Sequence, residues 1–303
     1  MAQRHVAEAR PLPHSSTSND CLGGESRLAG GSEGPLVSVV IPTRERPDLL
    51  REALHSVSAQ TFIDYEIVVV VNGPDNPQTP ATLEAAHAAH CVVVRVERAG
   101  IGPALNAGVA AARGRWIAFL DDDDLWLPNK LEVQLQVADA TAADLVFCDF
   151  SMFDATKSVP HPKLRPPPPL SVKEGLMLVD YGRGCTHALV RRDAILAIGG
   201  FDESIAAPDW DLWIRLSWRY QVVWADAYLS ALRQHRRNTS KRISWAWVAL
   251  QTLYKSLRTL PPELRHMRLR VVRQMLKVSM KAAEAYFRHT YIVPLRRRVG
   301  IKA

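Results

Sequence analysis

The chain has 303 residues, 47% of them hydrophobic and 23% charged, with a formal net charge of +7. That is apolar material for one sizeable domain with appendages, or two small ones, and it excludes a chain too polar to build a core. The cysteines Cys21, Cys91, Cys148 and Cys185 lie far apart without a CxxC pair, which argues against a disulfide framework or cysteine-based zinc and favours a reducing, cytoplasmic setting.

Residues 1–34 are rich in Ser, Gly and His, lack the apolar run of a signal peptide, and are expected to form a disordered leader. No apolar stretch reaches the roughly 18 residues that a membrane span needs. Residues 36–41 form a β-rich run that stops at Pro42. Residues 48–59 have helical spacing, with Leu49, Leu50, Leu54 and Val57 on one face. Residues 65–71 read as a second strand, continuously apolar after Glu66, as expected where both faces are covered. It ends in the turn signal Asn72-Gly73-Pro74-Asp75. An Ala-rich helix over 81–89, a strand over 91–96 and a helix over 103–112 follow.

Residues 115–120 form a fourth strand, and it runs straight into Asp121, Asp122, Asp123 and Asp124. Acids crowded at one strand end repel one another, and a cation beside a phosphate-bearing ligand relieves that repulsion. The competing reading is a solvated acidic turn before a helix that begins near Pro128. A cap needs one Asp, however, and here there are four. Strands alternating with helices imply an α/β fold with a parallel sheet, in which ligands bind beyond the carboxyl ends of the strands. Three such ends carry polar groups: Thr43-Arg44-Glu45, residues 72–75, and the four acids. A dinucleotide fold would want GxGxxG after its first strand, and Pro42-Thr43-Arg44-Glu45-Arg46-Pro47 contains no glycine.

In the second half, residues 143–150 and 185–190 read as strands and 192–198 as a short helix. The proline-heavy segment 160–170 reads either as a stiff connector or as a loop over an acceptor. Pro208 suits a first helical position. Asp209 and Asp211 then fall in the first turn, where the helix dipole favours anions even without a functional role.

Taken together, these blocks resemble the inverting glycosyltransferases of family 2, with a GT-A fold. The resemblance lies in residues 37–43, 66–73 and 106–114, in Phe119-Leu120-Asp121-Asp122-Asp123-Asp124-Leu125-Trp126-Leu127-Pro128, in Gly199-Gly200-Phe201-Asp202-Glu203, in Asp209-Trp210-Asp211-Leu212-Trp213, and in Arg233-Gln234-His235 followed by Ser240. It implies a mostly parallel sheet flanked by helices, over a domain of residues 35–240: a Rossmann-like nucleotide half (35–127) and an acceptor half (128–240). It implies transfer of a sugar from a nucleotide-sugar donor, UDP-linked, to a hydroxyl of a glycan or lipid-linked acceptor, as in surface polysaccharide assembly. Asp123 would coordinate a divalent metal, Mn²⁺ or Mg²⁺, and Asp121 and Asp122 would help hold the metal or the ribose. Pro42, Thr43, Glu45, Asn72 and Asp75 would line the nucleoside pocket, and Asp209 would be the catalytic base. Asp211 and His235 stand as further candidates. Two positions depart from the family pattern: Asn72 replaces an acid that often reads uracil, and Pro208 replaces a Glu that commonly precedes the base.

The charge is uneven. Residues 241–303 carry 15 Lys and Arg against two acids, whereas the remainder carries 23 against 29. Helices over 244–260 and 263–290, broken at Pro261-Pro262, are expected in this basic extension. It either packs on the domain with a solvated basic face or docks on an anionic membrane, which would place the chain at the inner face of the cell membrane. Nucleic acid is not expected as a partner, since no aromatic-basic interleaving of a binding module appears. Two other functions fit a similar sheet: a nucleotidyltransferase, and a non-catalytic module that binds nucleotide or sugar.

Overall fold

In the computed structural model, which describes residues 34–163, 165–166, 170–180, 184–234 and 245–287, the apolar runs become a single nine-stranded sheet. Its N-terminal part consists of β1 (Val37–Thr43), α1 (Pro47–Ser58), β2 (Tyr65–Asn72), α2 (Thr79–Ala88), β3 (Val92–Val96), α3 (Ile101–Ala111) and β4 (Trp116–Phe119). The order β3-β2-β1-β4 is parallel throughout, with Val37 of β1 opposite both Tyr65 and Trp116. Pro47 opens α1, where a missing N–H costs nothing.

Alternate residues of each strand enter two different cores. Val40, Val68, Val70, Ile117 and Phe119 face α3. Val39, Ile41, Val69, Val71, Ala118 and Leu120 face α1 and α2 on the other side. Helix α3 rides unusually low on the sheet: a Cβ on Gly108 would stand 2.3 Å from Val40 Cγ1.

Beyond β4 the sheet departs from expectation. It continues with β5 (Leu125–Trp126), α4 (Lys130–Thr141), β6 (Leu145–Phe153), β7 (Ser158–Pro160), α5 (Val172–Leu178), β8 (Ala188–Arg191), α6 (Arg192–Ala197), α7 (Pro208–Arg219) and β9 (Val222–Arg233). The strand expected over 185–190 begins only at Ala188, and it runs against both neighbours, β4 and β6. β6 and β9 are parallel with register shifts beside Asp149, so four of the eight pairings are antiparallel. The pairing is thus parallel throughout from β3 to β4 and mixed beyond it, because β8 enters between β4 and β6 running against both.

The proline segment leads into α5, which opens on a capping box between Ser171 and Glu174. Arg165 anchors the segment with two bonds to the buried Asp149, at 2.9 and 3.1 Å. The chain ends, as far as described, in α8 (Trp245–Thr259), a 3₁₀ helix (Pro262–Met267) and α9 (Arg268–Phe287). Ala249, Leu253, Leu264, Met267, Val271 and Val278 join the same core as Trp210 and Trp213 of α7. Among the described residues no helix is long and apolar enough to cross a membrane. The expected leader, residues 1–33, lies outside the described residues.

Candidate active site

The parallel register brings the ends of β1, β2 and β4 to one edge, as the topology requires. The Thr43 hydroxyl donates to Asp122 Oδ2 at 2.6 Å across 79 residues of sequence. Arg46, at the start of α1, completes the clamp. It pairs with both oxygens of Asp122 and, at 2.8 Å, with Asp123 Oδ2. Pro42 is buried within β1.

The tight turn Asp124 N–H to Asp121 O, at 3.0 Å, sorts the four acids. Asp122 turns back to Thr43 and Arg46. Asp121, Asp123 and Asp124 present carboxylate oxygens that all lie within 4.8 Å of one another. Thr186, just before β8, supports this group: its hydroxyl donates to Asp124 Oδ2 at 2.7 Å and accepts the Asp121 N–H at 3.2 Å. Arg233, at the end of β9, gives its backbone N–H to Asp124 Oδ1 at 2.8 Å and its Nε to the Asp123 carbonyl at 2.8 Å.

Crowding and burial leave this cluster short of positive charge. Burial and the neighbouring Asp124, Asp123, Asp122 and Asp209 hold the Asp121 carboxyl well above the usual range. Asp124 is pushed up to about 7 by burial and by Asp123, against the bonds from Arg233 and Thr186. Burial raises Asp122 to about 6 despite the pull of Arg46. Three carboxylates converging on one point are a fitting seat for a hard divalent cation, and an all-oxygen donor set suits Mg²⁺ or Mn²⁺.

Asp209 lies at the start of α7, close enough that its charge opposes ionisation of Asp121. Burial pushes its carboxyl upward, while backbone N–H groups of Trp210 and Gly184 bond it. Both acids act on the buried Cys185, whose thiol is driven well above its ordinary range by burial and by the charges of Asp209 and Asp121.

Other expected residues are placed differently. Asn72 Oδ1 accepts the Gly100 N–H at 3.0 Å, tying the end of β2 to the start of α3. Glu45 is exposed in a left-handed conformation, φ 58°, and pairs with Arg44. Asp75 is exposed and pairs with Arg95. Asp211 is buried and taken up by Arg215 at 2.7 Å and by Lys255 of α8 at 2.8 Å. His235 lies outside the described residues. Sequence reasoning assigned no role to Arg46, Thr186 or Arg233, nor a ligand role to Asp124. Arg233 entered only within the block Arg233-Gln234-His235 and Asp124 only as one of four acids, while Arg46 stood three residues past the first strand end.

The sequence profile described as "Glycosyl transferase family 2" matches residues 38–199. The chain belongs to that family. A relative described as "Uncharacterized glycosyltransferase" from Rickettsia felis is 29% identical over 220 residues, covering 69% of this chain and 36% of the relative. The chain therefore spans about a third of that protein's length. Two solved structures share the fold. S. aureus TarS 1-349 in complex with UDP-GlcNAc has a TM-score of 0.65 at 17% identity, covering 84% of this chain and 76% of that one. The mannosyltransferase PcManGT from Pyrobaculum calidifontis, in complex with GDP-Man and Mn²⁺, has a TM-score of 0.60 at 19% identity, covering 89% and 80%. This family 2 protein shares the GT-A architecture of those structures, and its family membership counts against the nucleotidyltransferase reading.

Proposed function

We propose that this glycosyltransferase moves a sugar from a nucleotide-sugar donor, UDP-linked, to a hydroxyl of a glycan or lipid-linked acceptor, with inversion at the anomeric carbon. The observation that carries the reading is the convergence of Asp121, Asp123 and Asp124 beside Asp209. Inversion by one displacement needs carboxylates in two roles, some near the diphosphate and one near the acceptor. The acceptor oxygen forms its bond to the anomeric carbon as the bond from that carbon to the diphosphate breaks, and the hydroxyl proton passes to Asp209.

Burial pushes Asp209 upward from the ordinary carboxylate range, which makes its carboxylate a stronger proton acceptor. Asp121, Asp123 and Asp124 would hold the divalent metal, with Thr186 and the Arg233 backbone fixing Asp124. When bound, that metal supplies charge stabilisation for the departing diphosphate. Thr43, with Asp122, Arg46 and the buried Pro42, shapes the floor of the nucleoside pocket, and Asn72 and Asp75 its rim. A lipid-linked acceptor would put the reaction at a bilayer, at the inner face of the cell membrane, with the basic C-terminal helices suited to meet it.

The test is turnover of UDP-, GDP- and dTDP-sugars with Mn²⁺ or Mg²⁺, reading nucleotide release and the anomeric configuration of the product by NMR. Asp209→Asn is expected to keep donor binding and to lose about two or more orders of magnitude in turnover. Wild-type turnover by that variant, or a product of retained configuration, overturns the mechanism.

A further inference from the structure

Helix α9 carries two apolar stripes. Val271 and Val278, in line with Met267 at the end of the preceding 3₁₀ helix, are buried in the core shared with α7. Leu269, Val272, Leu276 and Met280 are 70%, 38%, 58% and 71% exposed. At about 100° per residue these four share one side of the helix, opposite the buried set. A helix packed on a domain by one face ordinarily keeps its other face polar, so the second stripe is unexplained by the fold.

The charges beside it are equally one-sided. Arg265, Arg268, Arg270, Arg273, Lys277 and Lys281 are all exposed, and no Asp or Glu occurs between residues 264 and 281. Among the described residues none of the six makes an ion pair. α8 adds Trp247 and Tyr254, 59% and 53% exposed, with the Arg258 guanidinium 5.7 Å from the Tyr254 ring.

We infer that the outward face of α9 seats in the interfacial layer of a membrane containing anionic lipid. A strip one helix wide, apolar along its middle and cationic at its edges, matches the boundary between acyl chains and headgroups. Trp and Tyr favour the same depth. A protein groove would have to supply acids against six uncompensated cations. A polynucleotide would engage the cations but leave four apolar side chains without a role. The inference deepens the proposed lipid-linked acceptor and rests on that reading only for what the docking serves.

The experiment is cosedimentation of the full chain with vesicles of phosphatidylcholine, with and without about one third phosphatidylglycerol, at low and high salt. Wild type is expected to bind the anionic vesicles, and to bind less to neutral ones and at high salt. The double variant Leu269→Glu/Leu276→Glu should lose at least about tenfold in partition. Arg273→Gln should lose on the order of fivefold, and only at low salt. All three positions are exposed, so far-UV circular dichroism and melting temperature should not move. Failure of wild type to bind anionic vesicles, or wild-type binding by the double Glu variant, overturns the inference. Preference for single-stranded RNA over these vesicles in competition overturns it too. Hydrolysis of a nucleotide sugar without vesicles reads the active site alone, so vesicle binding that persists without hydrolysis sustains the docking face while rejecting the proposed reaction.

Discussion

Lys130 is a fully buried lysine whose ammonium meets no carboxylate among the described residues: Nζ donates to Gln134 Oε1 at 2.6 Å and sits 4.1 Å from the Trp126 ring centroid. Gln134 in turn donates to the carbonyls of Val146 and His187, stapling β6 to the approach of β8. Burial lowers the Lys130 pKa from the ordinary 10.5 to about 8. At about 1.4 kcal/mol per pH unit that fall corresponds to about 3 kcal/mol against the charged form at neutral pH. The unfolded chain binds this proton more readily, so stability should rise with pH between about 8 and 10.5. Lys130→Met removes the titration. It also removes the bond to Gln134, a loss of about 1–3 kcal/mol that does not depend on pH. The assay is urea unfolding of both proteins across that pH window. Wild-type stability minus variant stability should grow by about 3 kcal/mol from neutral pH to above 10.5, and other lysines and tyrosines cancel in the difference. A flat difference would refute the claim that Lys130 is charged and buried at neutral pH.

Thr186→Val keeps the side-chain shape but deletes the hydroxyl that holds Asp124. Mn²⁺ affinity, read by calorimetry, should fall about 10–100-fold with melting little changed. Gly108→Ala forces a methyl into Val40 and should cost about 1–3 kcal/mol by chemical denaturation, with Val40→Ala in the same chain restoring part of the loss. Lys255→Met leaves Asp202 without its cation and Asp211 with Arg215 alone. Although burial pushes Asp202 upward, the Lys255 and Ser204 hydrogen bonds hold its carboxyl well below the usual range. Its contribution is present above the unfolded value of 3.8 and fades as pH falls below it. The Lys255→Met deficit, about 1–3 kcal/mol near neutrality, should therefore shrink in acid, as thermal melts across pH would show.

The strands β1, β2 and β4 were readable because a parallel strand covered on both faces is an unbroken apolar run, and their shared edge followed from topology. Selection among the four acids was not readable. It depends on a turn that sends Asp122 back to Thr43 and gathers Asp121, Asp123 and Asp124. Thr186 and Arg233 reach Asp124 across 62 and 109 residues of sequence, a distance at which local pattern carries no information. β9 escaped notice because Ala225-Asp226-Ala227 interrupts its apolar pattern where the register with β6 also slips. α5 did carry a local mark, Ser171 three residues before Glu174, hidden beside the prolines.

The core that α7 shares with α8 and α9 bears on how small a working fragment can be. A protein trimmed after β9 would lose Ala249, Leu253, Met267, Val271 and Val278 from the core that holds Trp210 and Trp213, and Asp211 would lose its lysine. Such a fragment would retain every aspartate at the sugar-transfer centre yet tend to clump, because the two last helices are the lid on its interior as much as a handle on its exterior.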